Sequence, residues 1–80
     1  MRIELSIKAD SAVAKLDGEL DEGCVKNVRE KIDGFIRNNY FGQFVFDFSG
    51  LSFMDSTGIG MLLGRYKQLK KRNIPIYISN

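Results

Sequence analysis

The sequence predicts an α/β fold whose mixed sheet is built in the order strand, strand, helix, strand, helix, strand. Three observations predict it. The first segment alternates apolar and polar side chains, the signature of a sheet with one wet face. Two later segments, 22–38 and 55–72, repeat apolar residues at helical spacing. Between and after them stand short runs rich in β-branched and aromatic residues, "QFVFDFS" and "NIPIYIS". Eighty residues make a single domain, 1–80, and one this small buries only about 60% of the surface its unfolded chain exposes.

"RIELSIK" sets Ile3, Leu5 and Ile7 against Arg2, Glu4, Ser6 and Lys8. "AVAKLDG" follows the polar break at Asp10 and Ser11, with Val13 and Leu16 as its larger apolar residues. So short a link cannot make a parallel crossover, and the two strands form an antiparallel hairpin. In the first helix Cys24, Val25, Val28, Ile32, Phe35 and Ile36 share one stripe, and Asp21 is the expected N-cap. "NNYFG" ends it. The nearly continuous apolar run 43–49 suits a central strand with helices on either side. Pro75 favours a strand start or edge position for the last strand. Both helical connections are long enough for right-handed crossovers, so strands two, three and four are parallel and strand one lies antiparallel on the edge. Strand 75–79 then lies beside strand three. Its outer side, with Tyr77 and Ile78, offers an apolar edge to which a second copy could pair as an edge-strand dimer.

Composition narrows the chemistry. No run approaches the roughly 20 apolar residues of a membrane span, and "MRIELSIKAD" has no signal-peptide core. The lone Cys24 cannot make an internal disulfide and reads as a small apolar residue near a helix start; a reducing, cytoplasmic location is expected. With no histidine, a serine nucleophile lacks its usual base and a transition-metal site would need carboxylates alone. Neither a catalytic site nor a cofactor is implied. Net charge is +2, but residues 65–72, "RYKQLKKR", hold five basic side chains and no acidic one. These cations suit a helix C-terminus, where they complement the dipole. No aromatic platform accompanies them as direct nucleic-acid binding would require, though a small nucleic-acid-binding domain stays an alternative.

One stretch asks for a function. "SFMDSTGIG", residues 52–60, puts Asp55, Ser56 and Thr57 before two glycines, at the carboxyl end of a parallel strand, where open α/β sheets place ligand and partner sites. A helical wheel sets Ile59, Leu62, Leu63, Tyr66 and Leu69 on the sheet side, and Gly60, Met61, Gly64, Arg65 and Gln68 outward. Each exposed glycine costs the helix about 0.8–1 kcal/mol, which favours a smooth face that a partner approaches closely. Asp55 or Ser56 can cap the helix; if Asp55 does, Ser56 is the first helical residue, beside unpaired backbone N–H groups that suit a phosphate. The glycines are not a Walker loop, which needs lysine and a hydroxyl directly after the last glycine.

"LSFMDSTGIGMLLGRYKQLK", residues 51–70, and "LDGELD", residues 16–21, resemble two motifs of the bacterial anti-sigma factor antagonists of the STAS superfamily, above all the sporulation anti-sigma F type. The resemblance runs essentially from Met1 to Asn80. It implies a STAS-like fold that in other members continues with a further helix, strand and helix, so that 1–80 corresponds to a C-terminally shortened domain. It also implies a partner switch with Ser56 as the residue phosphorylated by an anti-sigma factor serine kinase and reset by a serine phosphatase. Asp21, Asp55, Thr57, Gly58, Gly60, Met61 and Gly64 are implied as contact or positioning residues. Thr57 stands where close relatives commonly have serine. A general stress-response antagonist, or the STAS domain of an anion transporter, shares the same fold.

Overall fold

The computed structural model describes residues 1–79. Strands β1 (Arg2–Lys8) and β2 (Ser11–Leu20) are followed by helix α1 (Val25–Asn38), strand β3 (Gln43–Met54), helix α2 (Ser56–Lys71) and strand β4 (Ile76–Ser79). The sheet order is β1-β2-β3-β4. β1 and β2 form the expected antiparallel hairpin, while β2–β3 and β3–β4 are parallel.

Register assembles the core. Ile3, Leu5 and Ile7 sit opposite Leu16, Ala14 and Ala12, which are fully buried. Ala12 and Ala14 in turn face Phe44 and Phe46, and those face Ile76 and Ile78. One side of the sheet is therefore apolar across all four strands. α1 lays Val28, Ile32 and Ile36 on it, and α2 adds Met61 and Leu69. The rings of Phe44 and Phe46 lie 4.8 Å apart between centroids and anchor the middle.

Both helices cover this one side. The chain steps in one direction across the sheet, and two right-handed crossovers taken in the same direction place their helices on the same face. The opposite face carries Val13, Lys15, Val45, Asp47 and the exposed Tyr77. The expectation of helices on either side of β3 is thus corrected: run 43–49 is apolar at alternate positions because of the aromatic core, while Val45 is only half-buried on the other side.

Two further boundaries differ from the sequence reading. α1 begins at Val25, with Cys24 rather than Asp21 at the N-cap and no side-chain cap bond. Asp21 instead organises the turn before the helix: its carboxylate accepts from Gly23 N at 3.0 Å, and its carbonyl accepts from Val25 N at 3.0 Å. β3 also runs on to Met54, because residues 50–54 keep pairing with the end of β2 through two register shifts. Gly18, at φ 105°, lies at the second of them, a conformation that a side chain resists.

Candidate functional site

The carboxyl ends of β2 and β3 lie side by side, and the turns that follow them are joined. Asp55 N donates to the Leu20 carbonyl at 3.2 Å, carrying the strand pairing one step past the end of β3. Asp55 is the N-cap of α2, as its residue type favours. Its Oδ1 accepts from Gly58 N at 3.0 Å and from Thr57 Oγ1 at 2.6 Å. Its Oδ2 accepts from Glu22 N at 3.1 Å, in the turn after β2. These donors hold the Asp55 carboxyl below its ordinary value, with the Thr57 hydroxyl the largest cause and Gly58 N next.

Ser56 is the first residue of α2 and is exposed. Among the described residues its hydroxyl has no hydrogen-bond partner, in contrast to that of Thr57. Asp21 is partly exposed in the neighbouring turn, and the Glu22 amide beside it connects that turn to Asp55. The structure thus brings Asp21, Asp55, Ser56 and Thr57 into one two-turn platform.

The glycines divide into two kinds. Gly58 is buried, and a Cβ there would stand 2.9 Å from Leu20 Cγ and from the Leu20 carbonyl oxygen. It lets α2 touch the end of β2, so it underlies the platform and offers no surface. Gly60 and Gly64 have open space where a Cβ would be. They form a smooth, accessible strip one helical turn apart.

The wheel's outward placement of Met61 is corrected: Met61 is 7% exposed and belongs to the core. Arg65 is not free either, with Nε 3.1 Å from Asp33 Oδ1 of α1. Conversely Ile59 and Leu63, expected to cover the sheet, are 46% and 53% exposed. The core-facing side of α2 is turned by roughly a quarter turn from the wheel's reading. Ile59, Leu62, Leu63 and Tyr66 instead look across an apolar groove toward Ile76 and Ile78. Sequence reasoning also missed the exposed Phe53, near the same end of β3.

Among the described residues no three His, Cys, Asp or Glu side chains converge as a metal site would, and no helix is long and apolar enough to cross a membrane. Asn80 lies outside the described residues.

Comparison with known proteins adds a lineage. Residues 2–80 match the STAS domain family. An anti-sigma F factor antagonist of Lysinibacillus sphaericus is 38% identical over 64 residues, covering 80% of this chain. Another from Paenibacillus polymyxa is 33% identical over 72 residues, covering 90% of it. The chain spans 55% and 62% of those relatives' lengths. Among solved structures, the anti-sigma factor antagonist SpoIIAA in its unphosphorylated form superposes with a TM-score of 0.78 at 32% identity, over 96% of this chain and 71% of that one. The phosphorylated form of the Bacillus cell fate determinant SpoIIAA gives 0.75 at 33% identity, over 94% and 68%.

Proposed function

This chain belongs to the STAS domain family, and we propose that it is a cytoplasmic anti-sigma factor antagonist switched by phosphorylation of Ser56. With Ser56 unmodified it binds an anti-sigma factor serine kinase and frees the sigma factor. A serine phosphatase restores the binding form. The observation that carries the reading is the state of Ser56: an exposed hydroxyl without a hydrogen-bond partner among the described residues, on the first turn of α2. The two recorded phosphorylation states of SpoIIAA support it by analogy.

Ser56 Oγ forms a bond to the γ-phosphorus of ATP, the bond from that phosphorus to ADP breaks, and the hydroxyl proton passes to a base on the kinase. This chain has no histidine to serve as that base. The new group carries about −1.5 to −2 charges. At the start of α2 the helix dipole favours it by about 0.3–1 kcal/mol. An interface fitted to a hydroxyl would bury that charge unpaired, at a cost of several kcal/mol. The interface term wins, so phosphorylation releases the partner while the fold stays as it is.

The docking face in this reading runs from Ser56 along the open strip of Gly60 and Gly64, with exposed Ile59 and Leu63 beside it as apolar anchors. Asp21, Asp55, Thr57 and Gly58 hold its upper end in shape. Incubation with ATP and the anti-sigma F factor of L. sphaericus, followed by phosphopeptide mapping, tests the switch. Phosphate on the peptide holding Ser56, lost in Ser56→Ala, is expected. Absence of any transfer, with binding unaffected by Ser56→Asp, would refute it.

A further inference from the structure

We propose that Thr57 is a positioning residue and not a second phosphate acceptor: its hydroxyl fixes the Asp55 carboxylate so that one oxygen ties the turn at 21–24 to the start of α2, and the partner meets two turns as one surface. The inference rests on the reading of Ser56 as the modified group.

Asp55 has two oxygens with separate duties. Thr57 Oγ1 at 2.6 Å and Gly58 N at 3.0 Å hold Oδ1. That leaves Oδ2 aimed across the gap at Glu22 N, 3.1 Å away and 33 residues earlier in the chain. Glu22 stands between Asp21, whose carboxylate shapes the turn through Gly23 N, and Cys24, whose thiol donates to the carbonyls of Glu19 and Asp21. Without the Thr57 hydroxyl, Oδ1 keeps only its bond to Gly58 N, and the carboxylate loses one of the three donors that hold its rotamer toward Glu22 N. With Thr57, one rotamer holds all three donors.

The same contact separates the two hydroxyls chemically. A hydroxyl has one proton to donate, and that of Thr57 is committed to Asp55. The rival reading makes Asp55 the base that activates Thr57. It is disfavoured because three donors stabilise the ionised carboxylate, and taking a proton would weaken both the helix cap and the tie to Glu22. Among the described residues the causes of that stabilisation are hydrogen bonds, and the Glu22 backbone amide joins Asp55 to the turn that holds Asp21 and Glu22. A phosphate on Thr57 would also remove the proton that Asp55 accepts from its hydroxyl. Among the described residues the Ser56 hydroxyl makes no such bond.

The test follows the Glu22 amide by 15N–1H correlation spectra of the 80-residue protein across acid pH. In the unmodified chain this amide should report the titration of Asp55, with a midpoint below the ordinary carboxylate range. Thr57→Val should raise the midpoint and speed hydrogen exchange at Glu22, whereas Thr57→Ser should restore both. A Thr57→Val protein with unchanged midpoint and exchange would overturn the proposal. A second arm needs no variant: phosphopeptide mapping of the unmodified protein after treatment with ATP and the anti-sigma F factor of L. sphaericus. Phosphate confined to Ser56 supports the inference, while phosphate on Thr57 overturns it and leaves a switch in place. No transfer to either residue counts against the proposed function, and the amide titration then still decides the role of Thr57.

Discussion

Replacing Gly58 by alanine places a Cβ 2.9 Å from Leu20 Cγ, 2.9 Å from the Leu20 carbonyl oxygen and 3.0 Å from Met54 Cγ. The side-chain carbons can shift, but the carbonyl oxygen already accepts from Asp55 N at 3.2 Å and is fixed by that bond. Relief requires α2 to move off the end of β2. Overpacking of this kind costs about 1–3 kcal/mol, against a helix-propensity gain of at most about 1 kcal/mol for alanine over glycine. The expected net loss is about 1–2 kcal/mol. Gly60 and Gly64 supply the control, because nothing stands within 4 Å of a Cβ at either. Alanine there should stabilise by about 0.5–1 kcal/mol. For a domain of this size 1 kcal/mol moves the melting temperature by about 4–8 °C, so Gly58→Ala and Gly60→Ala should melt on opposite sides of the parent. Circular dichroism melts and urea titrations read this directly. If Gly58→Ala is as stable as Gly60→Ala, the close approach of α2 to Leu20 is not what the glycine provides, and the account of the platform fails.

Other outcomes follow from the same geometry. Gly60→Asp should keep the circular dichroism and melt nearly unchanged yet weaken binding to an anti-sigma factor at least tenfold by titration calorimetry; unfolding instead would make the glycine structural. Asp33→Ala leaves the largely covered Arg65 guanidinium without its ion-pair partner and should cost about 1–2 kcal/mol in urea denaturation, and an unchanged midpoint would mean the pair contributes nothing. Asp55 and Asp47 both titrate below their ordinary values, the latter chiefly through the Ser49 amide. Their ionised forms favour the fold, so this stability is complete above about pH 4 and is lost as pH falls through the depressed values. Denaturation midpoints should therefore drop in acid, less so in Asp55→Asn; a pH-independent midpoint contradicts this. Ile78 is 67% exposed on β4, beside the apolar groove, so sedimentation should show concentration-dependent association that Ile78→Lys reduces, and a strictly monomeric parent would refute edge pairing.

Much of this was legible in the residues. Alternation in β1 fixed which side of the hairpin is wet, and the stripe Val28, Ile32, Ile36 fixed the buried face of α1. The cap of α2 was narrowed by local chemistry to Asp55 or Ser56, and the bond from Gly58 N to the Asp55 side chain selects Asp55. The face of α2 was not legible. Its apolar residues fill two adjacent stripes, and a hydrophobic pattern favours the one richer in large side chains, Ile59, Leu63 and Tyr66. The packing follows Gly58, Met61 and Leu69 instead, since a glycine that allows backbone contact adds nothing to a hydrophobic count. The bond between Asp55 and Glu22 was unreadable for a different reason. It joins a side chain to a backbone amide across the sheet, and an amide has no sequence signature. The same holds for Leu20, whose carbonyl receives Asp55 N, and for the extra length of β3 that this pairing supports.

The central claim is that charge on Ser56 decides whether a partner binds. Calorimetric titration of one preparation into the anti-sigma F factor of L. sphaericus, before and after phosphorylation and again after phosphatase treatment, measures it directly. The account predicts tight binding before, at least a tenfold loss after phosphorylation, and recovery on dephosphorylation, with unchanged circular dichroism throughout. Equal affinity of the phosphorylated and unphosphorylated forms would contradict it.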